Sequence, residues 1–349
     1  MHGTLTVIDK GQVRIHSYVS PEDGLGVTTQ LIETPSRIIA VDAQFVLAYA
    51  DEVVAYAKSL GKPLDRLVIS HAHPDHYQGA ARFGVPVHAL PETTTEIVAM
   101  GAKTDLPTGA EIPPADMTPT VEITPGTEVI DGIPFVFEKV TGGEIHTTLV
   151  IKLPEQGVLV AQDVVYNHTH LWFLDKDFDG WQANIDRFAA ETEYDTILPG
   201  HGEPTTPAVW AELTDYVNVG RELLGDDGDA YKKAITERYP AYQGAALIDV
   251  ANAYMFGPKN ESVRPSRKAP ESQEREHRDF PHAQPAHGHP SHPPRHGRHV
   301  RPGGRRDRTR LRLAACQRGS RRRARRRRRP ARLPEDRCRT CPQGGVRAG

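Results

Sequence analysis

The sequence predicts an α/β (α+β) fold, two packed mixed β-sheets with helices outside them, over residues 1–258, and a disordered tail over 259–349. Three observations carry this reading. Two strand-rich stretches are each followed by helical patterns, which is the order expected when sheets pack together and helices cover their outer faces. All periodicity stops after Gly257-Pro258. The charge also divides there: residues 1–258 hold 16 Lys+Arg against 37 Asp+Glu, whereas residues 259–349 hold 27 against 8.

The elements follow in order. Leu5 to Ile8, Val13 to Val19, Gly26 to Glu33 and Arg37 to Val41 read as consecutive strands, broken by Asp9-Lys10-Gly11, Pro21 to Gly24 and Pro35-Ser36. Val46, Tyr49, Ala50, Val53, Ala57 and Leu60 then fall at helical spacing, with Gly61 as the stop. Strand Leu67 to Ile69, a short helix near Gly79 to Phe83 and strand Val85 to His88 come next, followed by an irregular stretch from about Leu106 to Pro125. Strands resume at Glu128 to Ile130, Phe135 to Val140, Thr148 to Leu153 and Val158 to Gln162. A helix with Trp181, Ile185 and Phe188 on one face leads into strand Thr196 to Leu198. Thr206-Pro207 reads as N-cap and first turn of a helix carrying Trp210, Leu213, Val217 and Leu224, and two further helices are expected at Asp229 to Arg238 and Gln243 to Phe256.

Composition excludes several classes. Residues 1–258 contain no cysteine, so packing or metal must stabilise them without disulfides. The start has neither the basic region nor the apolar stretch of a signal peptide, and no apolar run approaches the roughly 18 residues of a membrane span. A soluble, cytoplasmic protein with a small-molecule substrate and no membrane partner is expected. The tail is rich in Arg, Pro, His and Gly, with eight arginines in 321–330. Such a vocabulary after an abrupt loss of pattern is what a frameshift near codon 258 would produce, the alternative being a genuine tail. Cys338-x-x-Cys341 within it lacks the second pair that a zinc site needs, and is read as accidental.

Chemistry concentrates in "SHAHPDHYQG", Ser70 to Gly79, directly after the apolar run Leu67-Val68-Ile69. Residues two apart on extended backbone point the same way, so His71 and His73 can offer both imidazoles to one ion. Asp75 and His76 sit one turn further on and can face a second position. So many buried polar groups would be destabilising without metal or hydrogen bonds to satisfy them.

His71-x-His73-x-Asp75-His76 resembles the signature of the metallo-β-lactamase fold superfamily. Thr141-Gly142-Gly143-Glu144, "LPEQGVLVAQD" ending at Asp163, and "ILPGHGEP" with His201 resemble its later motifs in order and spacing. The resemblance implies a four-layer αββα sandwich with two metal ions, zinc above all. It assigns His71 and His73 to the first ion, Asp75, His76 and His201 to the second, and Asp163 as the bridge. Asp42 resembles an aspartate that supports such sites, with a strand-end turn cap the alternative.

Two positions depart from the pattern. Where the superfamily usually has a histidine, nineteen positions before Asp163, this chain has Glu144, and the nearest histidine is His146. Glu144 ligates directly, as in the alkylsulfatase-like branch, or a small shift brings in His146; the ungapped reading favours Glu144. A third carboxylate would neutralise two divalent ions more fully, weaken the electrophile and suit manganese or iron as well as zinc. Gln162 stands where glycine is common and is expected to narrow the approach to the metals or add an amide to the pocket.

The implied reaction is hydrolysis of an ester-like bond: carboxylic ester, lactone, thioester, or sulfate or phosphate ester, with Asp75 orienting the activated water and accepting a proton. Tyr77 is a candidate oxyanion donor. Tyr166, Asn167, His168, His170 and Trp172 are candidate pocket residues. His88 reads as a core or edge histidine. Two rival readings stand beside it. One is an iron-containing member of the same fold that oxidises thiols or persulfides. The other is a nucleic-acid binder acting through Arg321 to Arg329, disfavoured because the acidic first segment would repel a polyanion.

Overall fold

The computed structural model describes residues 1–257. The expected tail and Cys338-x-x-Cys341 lie outside the described residues.

A seven-stranded sheet runs in the order β1 (Thr4–Lys10), β2 (Val13–Val19), β3 (Thr28–Glu33), β4 (Ile38–Val41), β5 (Leu64–Val68), β6 (Val87–Ala89) and β9 (Val121–Glu122), with β7 (Lys103–Asp105) and β8 (Ala110–Ile112) forming a separate hairpin. A five-stranded sheet runs β10 (Gly126–Ile130), β11 (Ile133–Thr141), β12 (Thr147–Leu153), β13 (Val158–Tyr166) and β14 (Thr196–His201). Both are mixed. β1 to β4 pair antiparallel and β4, β5, β6 and β9 parallel, while in the second sheet only β13 and β14 are parallel. Helices α1 (Leu47–Ser59), α2 (Pro74–Tyr77), α3 (Ala80–Phe83) and α4 (Pro91–Met100) belong to the first half, and α5 (Phe178–Ala189), α6 (Val209–Leu223), α7 (Gly228–Arg238) and α8 (Ala245–Phe256) to the second.

Strict alternation along the central strands makes the four layers. Ile38 and Ala40 of β4 face the α1–α3 side with Val53, Ala57 and Phe83, whereas Ile39 and Val41 face the second sheet. Leu149, Ile151 and Leu153 of β12 meet them there, and Val150 points outward with Trp181, Ile185 and Leu213 of α5 and α6. Strands buried on both faces read as continuous apolar runs, which is why Ile38–Val41 and Val158–Ala161 show no polar alternation. Each such Ile, Leu or Val contributes roughly 1.5–3 kcal/mol by leaving water. Among the described residues no helix is long and apolar enough to cross a membrane.

Several expected boundaries differ. The segment after β6 contains α4, which the sequence reading leaves unassigned, and the irregular 106–125 stretch holds β8 and β9. β13 continues to Tyr166, four residues beyond its expected end. α6 begins at Val209 after Ala208 with no side-chain cap, so Thr206-Pro207 forms a preceding turn instead, its Thr206 carbonyl accepting from Val209 N at 3.0 Å.

Candidate metal centre

The two sheets meet at one end through an isolated bridge between Val27 and His201, and the Thr28 hydroxyl donates to the Pro199 carbonyl at 2.7 Å. There the chain segments after β5, between β11 and β12, within β13 and at the end of β14 converge. His71, His73, Glu144 and Asp163 form one group whose donor atoms lie within 4.8 Å of one another, and Asp75, His76 and His201 form a second. Asp163 lies between them. Its Oδ2 is 3.5 Å from His71 Nε2 and 3.5 Å from His201 Nε2, and its Oδ1 is 3.2 Å from His76 Nε2. Asp75 Oδ2 is 3.4 Å from His76 Nε2 and 3.3 Å from His201 Nε2. Glu144 Oε1 is 3.0 Å from His73 Nδ1.

Outer hydrogen bonds fix which ring nitrogen faces inward. His201 Nδ1 donates to the Leu25 carbonyl at 2.9 Å, and His76 Nδ1 donates to Asp42 Oδ2 at 2.7 Å. Ser70 Oγ donates to Asp42 Oδ2 at 2.7 Å and so accepts from His71 Nδ1 at 2.9 Å. Each of these three rings therefore turns Nε2 toward the carboxylates, the arrangement in which the outer partner sets the tautomer of a ligating histidine. Asp42 is buried with φ of 62° and also accepts from Ser70 N at 2.8 Å and from the Gln162 amide. With its oxygens so occupied it is a support for His76 rather than a ligand, although it too lies near His71 and His76.

Local sequence explains the positioning. Gly142 and Gly143, at φ of 82° and 94°, bend the β11–β12 loop, which Asp177 Oδ2 holds through Gly143 N at 3.0 Å and the Asn184 amide holds through the Gly142 carbonyl at 3.0 Å. Gly200 lets β14 pass against Asp163: a Cβ there would lie 1.7 Å from Asp163 Oδ1.

The electrostatics follow from burial against neighbours. Burial pushes the Asp163 and Asp75 carboxyls up, but adjacent His76 and His201 more than reverse this and hold both well below the ordinary range. Burial and the charge of Asp163 hold Glu144 well above it. Burial lowers His71 and His73, whereas Asp163 and Asp75 overcome burial to raise His76, and Asp163 chiefly pushes His201 up to about 10.

The residues fit a metal. His71 Nε2, His76 Nε2, Glu144 Oε2 and Asp163 Oδ1 are buried without a hydrogen-bond partner. Leaving one such group unsatisfied costs about 1–3 kcal/mol, and more when it is charged; a cation ligated by these atoms removes that cost.

A profile of the metallo-β-lactamase superfamily matches residues 31–201, from β3 to the final histidine of the cluster. Residues 31–201 are a metallo-β-lactamase superfamily domain. The alkyl/aryl-sulfatase BDS1 of Saccharomyces cerevisiae is 25% identical over 270 residues, 64% of this chain; the chain spans 40% of that relative's length. A metallo-β-lactamase from Pontibacter korlensis is 21% identical with a TM-score of 0.49, covering 62% of this chain and 99% of its own. FIM-1 from Pseudomonas aeruginosa, in a mono-zinc form, is 19% identical with a TM-score of 0.49, covering 63% and 97%.

Other sequence candidates lie elsewhere. Residues 142–146 form a bend, so Glu144 and His146 do not share a face: Glu144 is buried, and His146 is exposed beside Glu92 and Glu96 of α4. Tyr77 is buried under α1–α3 and directs its hydroxyl to Met100 Sδ at 3.4 Å, away from an oxyanion-donor role. Gln162 neither narrows the entrance nor lines it; its fully buried amide turns back onto Asp42. The Asn167 amide donates to the Glu203 carbonyl, exposed His168 pairs with Glu212, and buried His170 bonds the Tyr216 hydroxyl, so none of the three faces the cluster through these groups. Trp172 does, with its ring 5.9 Å from that of His73. Tyr166 lies within the cluster rather than on its wall. Its hydroxyl is 2.9 Å from Glu144 Oε1 and 3.0 Å from Asp163 Oδ2, and its ring stacks on His201 at 4.6 Å. His88 lines a cleft of about 470 Å³ with Arg66 and Glu128, which no residue of the cluster borders.

Proposed function

We propose that this protein is a hydrolase that uses two divalent cations to cleave an ester-like bond of a small molecule, a carboxylic ester, lactone, thioester or sulfate ester. The observation that carries the proposal is the convergence of seven imidazole and carboxylate side chains in two groups joined by Asp163. His71, His73 and Glu144 would hold one ion, Asp75, His76 and His201 the other, and Asp163 both. Zinc suits the imidazoles, and the three carboxylates leave manganese or iron as alternatives. Bound there, such ions supply Lewis acidity and lower the pKa of water toward neutrality.

The chain's own residues do the rest. Asp75 has 13% of its side chain exposed, against 1% for Asp163 and 3% for Glu144, so it is the carboxylate that meets solvent and substrate. It orients the attacking water and accepts its proton. His73, 18% exposed, and Trp172 beside it border the approach, the indole offering an apolar face to the alcohol or acyl portion of the substrate. Buried His71, His76 and Asp163 keep bulk water from the opposite side. The 25% identity to an alkyl/aryl-sulfatase supports including sulfate esters among the substrates to be tried.

The test is metal analysis of the full chain with a panel of aryl esters, lactones, thioesters and alkyl sulfates. Turnover of at least one class should vanish on exhaustive chelation and return with zinc or manganese. Turnover indifferent to chelation would end the proposal. Iron with visible absorbance and no hydrolysis would favour the redox reading instead.

A further inference from the structure

Tyr166 does something that neither its size nor its strand position demands. Residues three apart on a regular strand point to opposite faces, yet Tyr166 and Asp163 meet because the β13–β14 register shifts between Gln162 and Tyr166. The hydroxyl is buried and lies within bonding distance of both Glu144 Oε1 and Asp163 Oδ2. Those are the oxygens that face His73 at 3.0 Å and His71 and His201 at 3.5 Å. The ring lies nearly parallel to that of His201, at 10°. One side chain thus touches the β11–β12 loop, β13 and β14, and members of both ligand groups. A phenylalanine would fill the same space; the hydroxyl, costly to bury, is matched to two carboxylates that would otherwise repel each other across the cluster.

We propose that Tyr166 is a positioning residue that ties Glu144, Asp163 and His201 into one unit, so that the two divalent cations are taken up together rather than singly. The proposal rests on the metallo-hydrolase reading. It gives the acidic Glu144 a companion: a single O–H shared between neighbouring carboxylates offsets their repulsion and holds both oxygens in place for ligation.

Zinc uptake by the full chain and by Tyr166→Phe, each stripped of metal, tests it, with a chromophoric chelator as competitor. Quenching of tryptophan fluorescence by Co²⁺ supplies a reading local to the centre, because Trp172 adjoins His73 and Trp181 adjoins Tyr166. The parent chain should load two ions at the centre in one step. Tyr166→Phe should load in two, the weaker site losing about 10–100-fold in affinity. Site-specific 3-fluorotyrosine at 166, which keeps the hydroxyl, should restore single-step loading and guards against a merely misfolded variant. Unchanged two-ion uptake by Tyr166→Phe overturns the inference and leaves the hydrolase reading intact. A parent chain whose tryptophans no ion quenches overturns both.

Discussion

His76 Nδ1 lies 2.7 Å from Asp42 Oδ2, an oxygen that also accepts the Ser70 hydroxyl and the Gln162 amide. Three donors on one buried carboxylate oxygen fix the orientation of His76 from outside the metal groups. Asp42→Asn replaces an acceptor with a group that opposes those donors. It should lower metal affinity or activity by about 10–100-fold and cost roughly 1–3 kcal/mol of stability for each donor left unpaired. Metal competition and denaturant unfolding of the metal-free protein check the two parts separately.

The choice between Glu144 and His146 is settled by one pair of variants. Glu144→Ala should lower bound metal and abolish turnover, whereas exposed His146→Ala should leave both near the parent values. Loss of metal in the His146 variant alone would reverse the ligand assignment.

Trp172 packs against His73 on one side and against Tyr254, 60% exposed on α8, on the other. An aromatic surface of this kind contributes roughly 0.5–1.5 kcal/mol to holding an apolar group. Trp172→Ala should therefore raise KM for aryl substrates by about twofold to tenfold with a smaller change in kcat, and Tyr254→Ala should do the same more weakly. Steady-state kinetics on short-chain and aryl substrates tests this; equal effects on both would contradict it.

Acid should destabilise the fold through carboxylates remote from the centre. Burial raises Glu33 and Glu52, but Lys62 and His16 around the first and His2 and Tyr18 around the second outweigh it, and hydrogen bonds from Thr34 and Ser36 lower Asp131. A carboxyl depressed in the folded state stabilises above its unfolded value and loses that contribution as pH falls through the folded one. The loss should thus begin near the ordinary values of 4.5 for Glu and 3.8 for Asp and continue below them. Thermal melts of the metal-free protein from about pH 6 to pH 3 should show a falling Tm, with a shallower fall in Asp131→Asn.

The sheets and the histidine run were legible because their signals are local. Ile38–Val41 and Val158–Ala161 are apolar runs flanked by turns, and the 71–76 spacing needs only a strand end to make sense. α4 was not, because Thr93, Thr94 and Thr95 lower its helix propensity; Pro91 at its first position starts it, and the Thr94 and Thr95 hydroxyls bond back to the Leu90 and Pro91 carbonyls. The role of Tyr166 was hidden by a strand irregularity, since regular alternation would put it opposite Asp163. The fate of Gln162 was hidden by its backbone: φ of 45° at a non-glycine position turns the amide onto Asp42. Long-range pairings such as Asp42 with Gln162 leave no mark in either segment alone.

On the proposed function, two separate strings of residues, joined by Asp163, hold a pair of ions. Anomalous diffraction at the zinc edge from crystals grown with zinc measures this directly. Two peaks should appear, one among His71, His73 and Glu144 and one among Asp75, His76 and His201, each in contact with Asp163. A peak bound by His146, or no peak within reach of Asp163, would contradict the account.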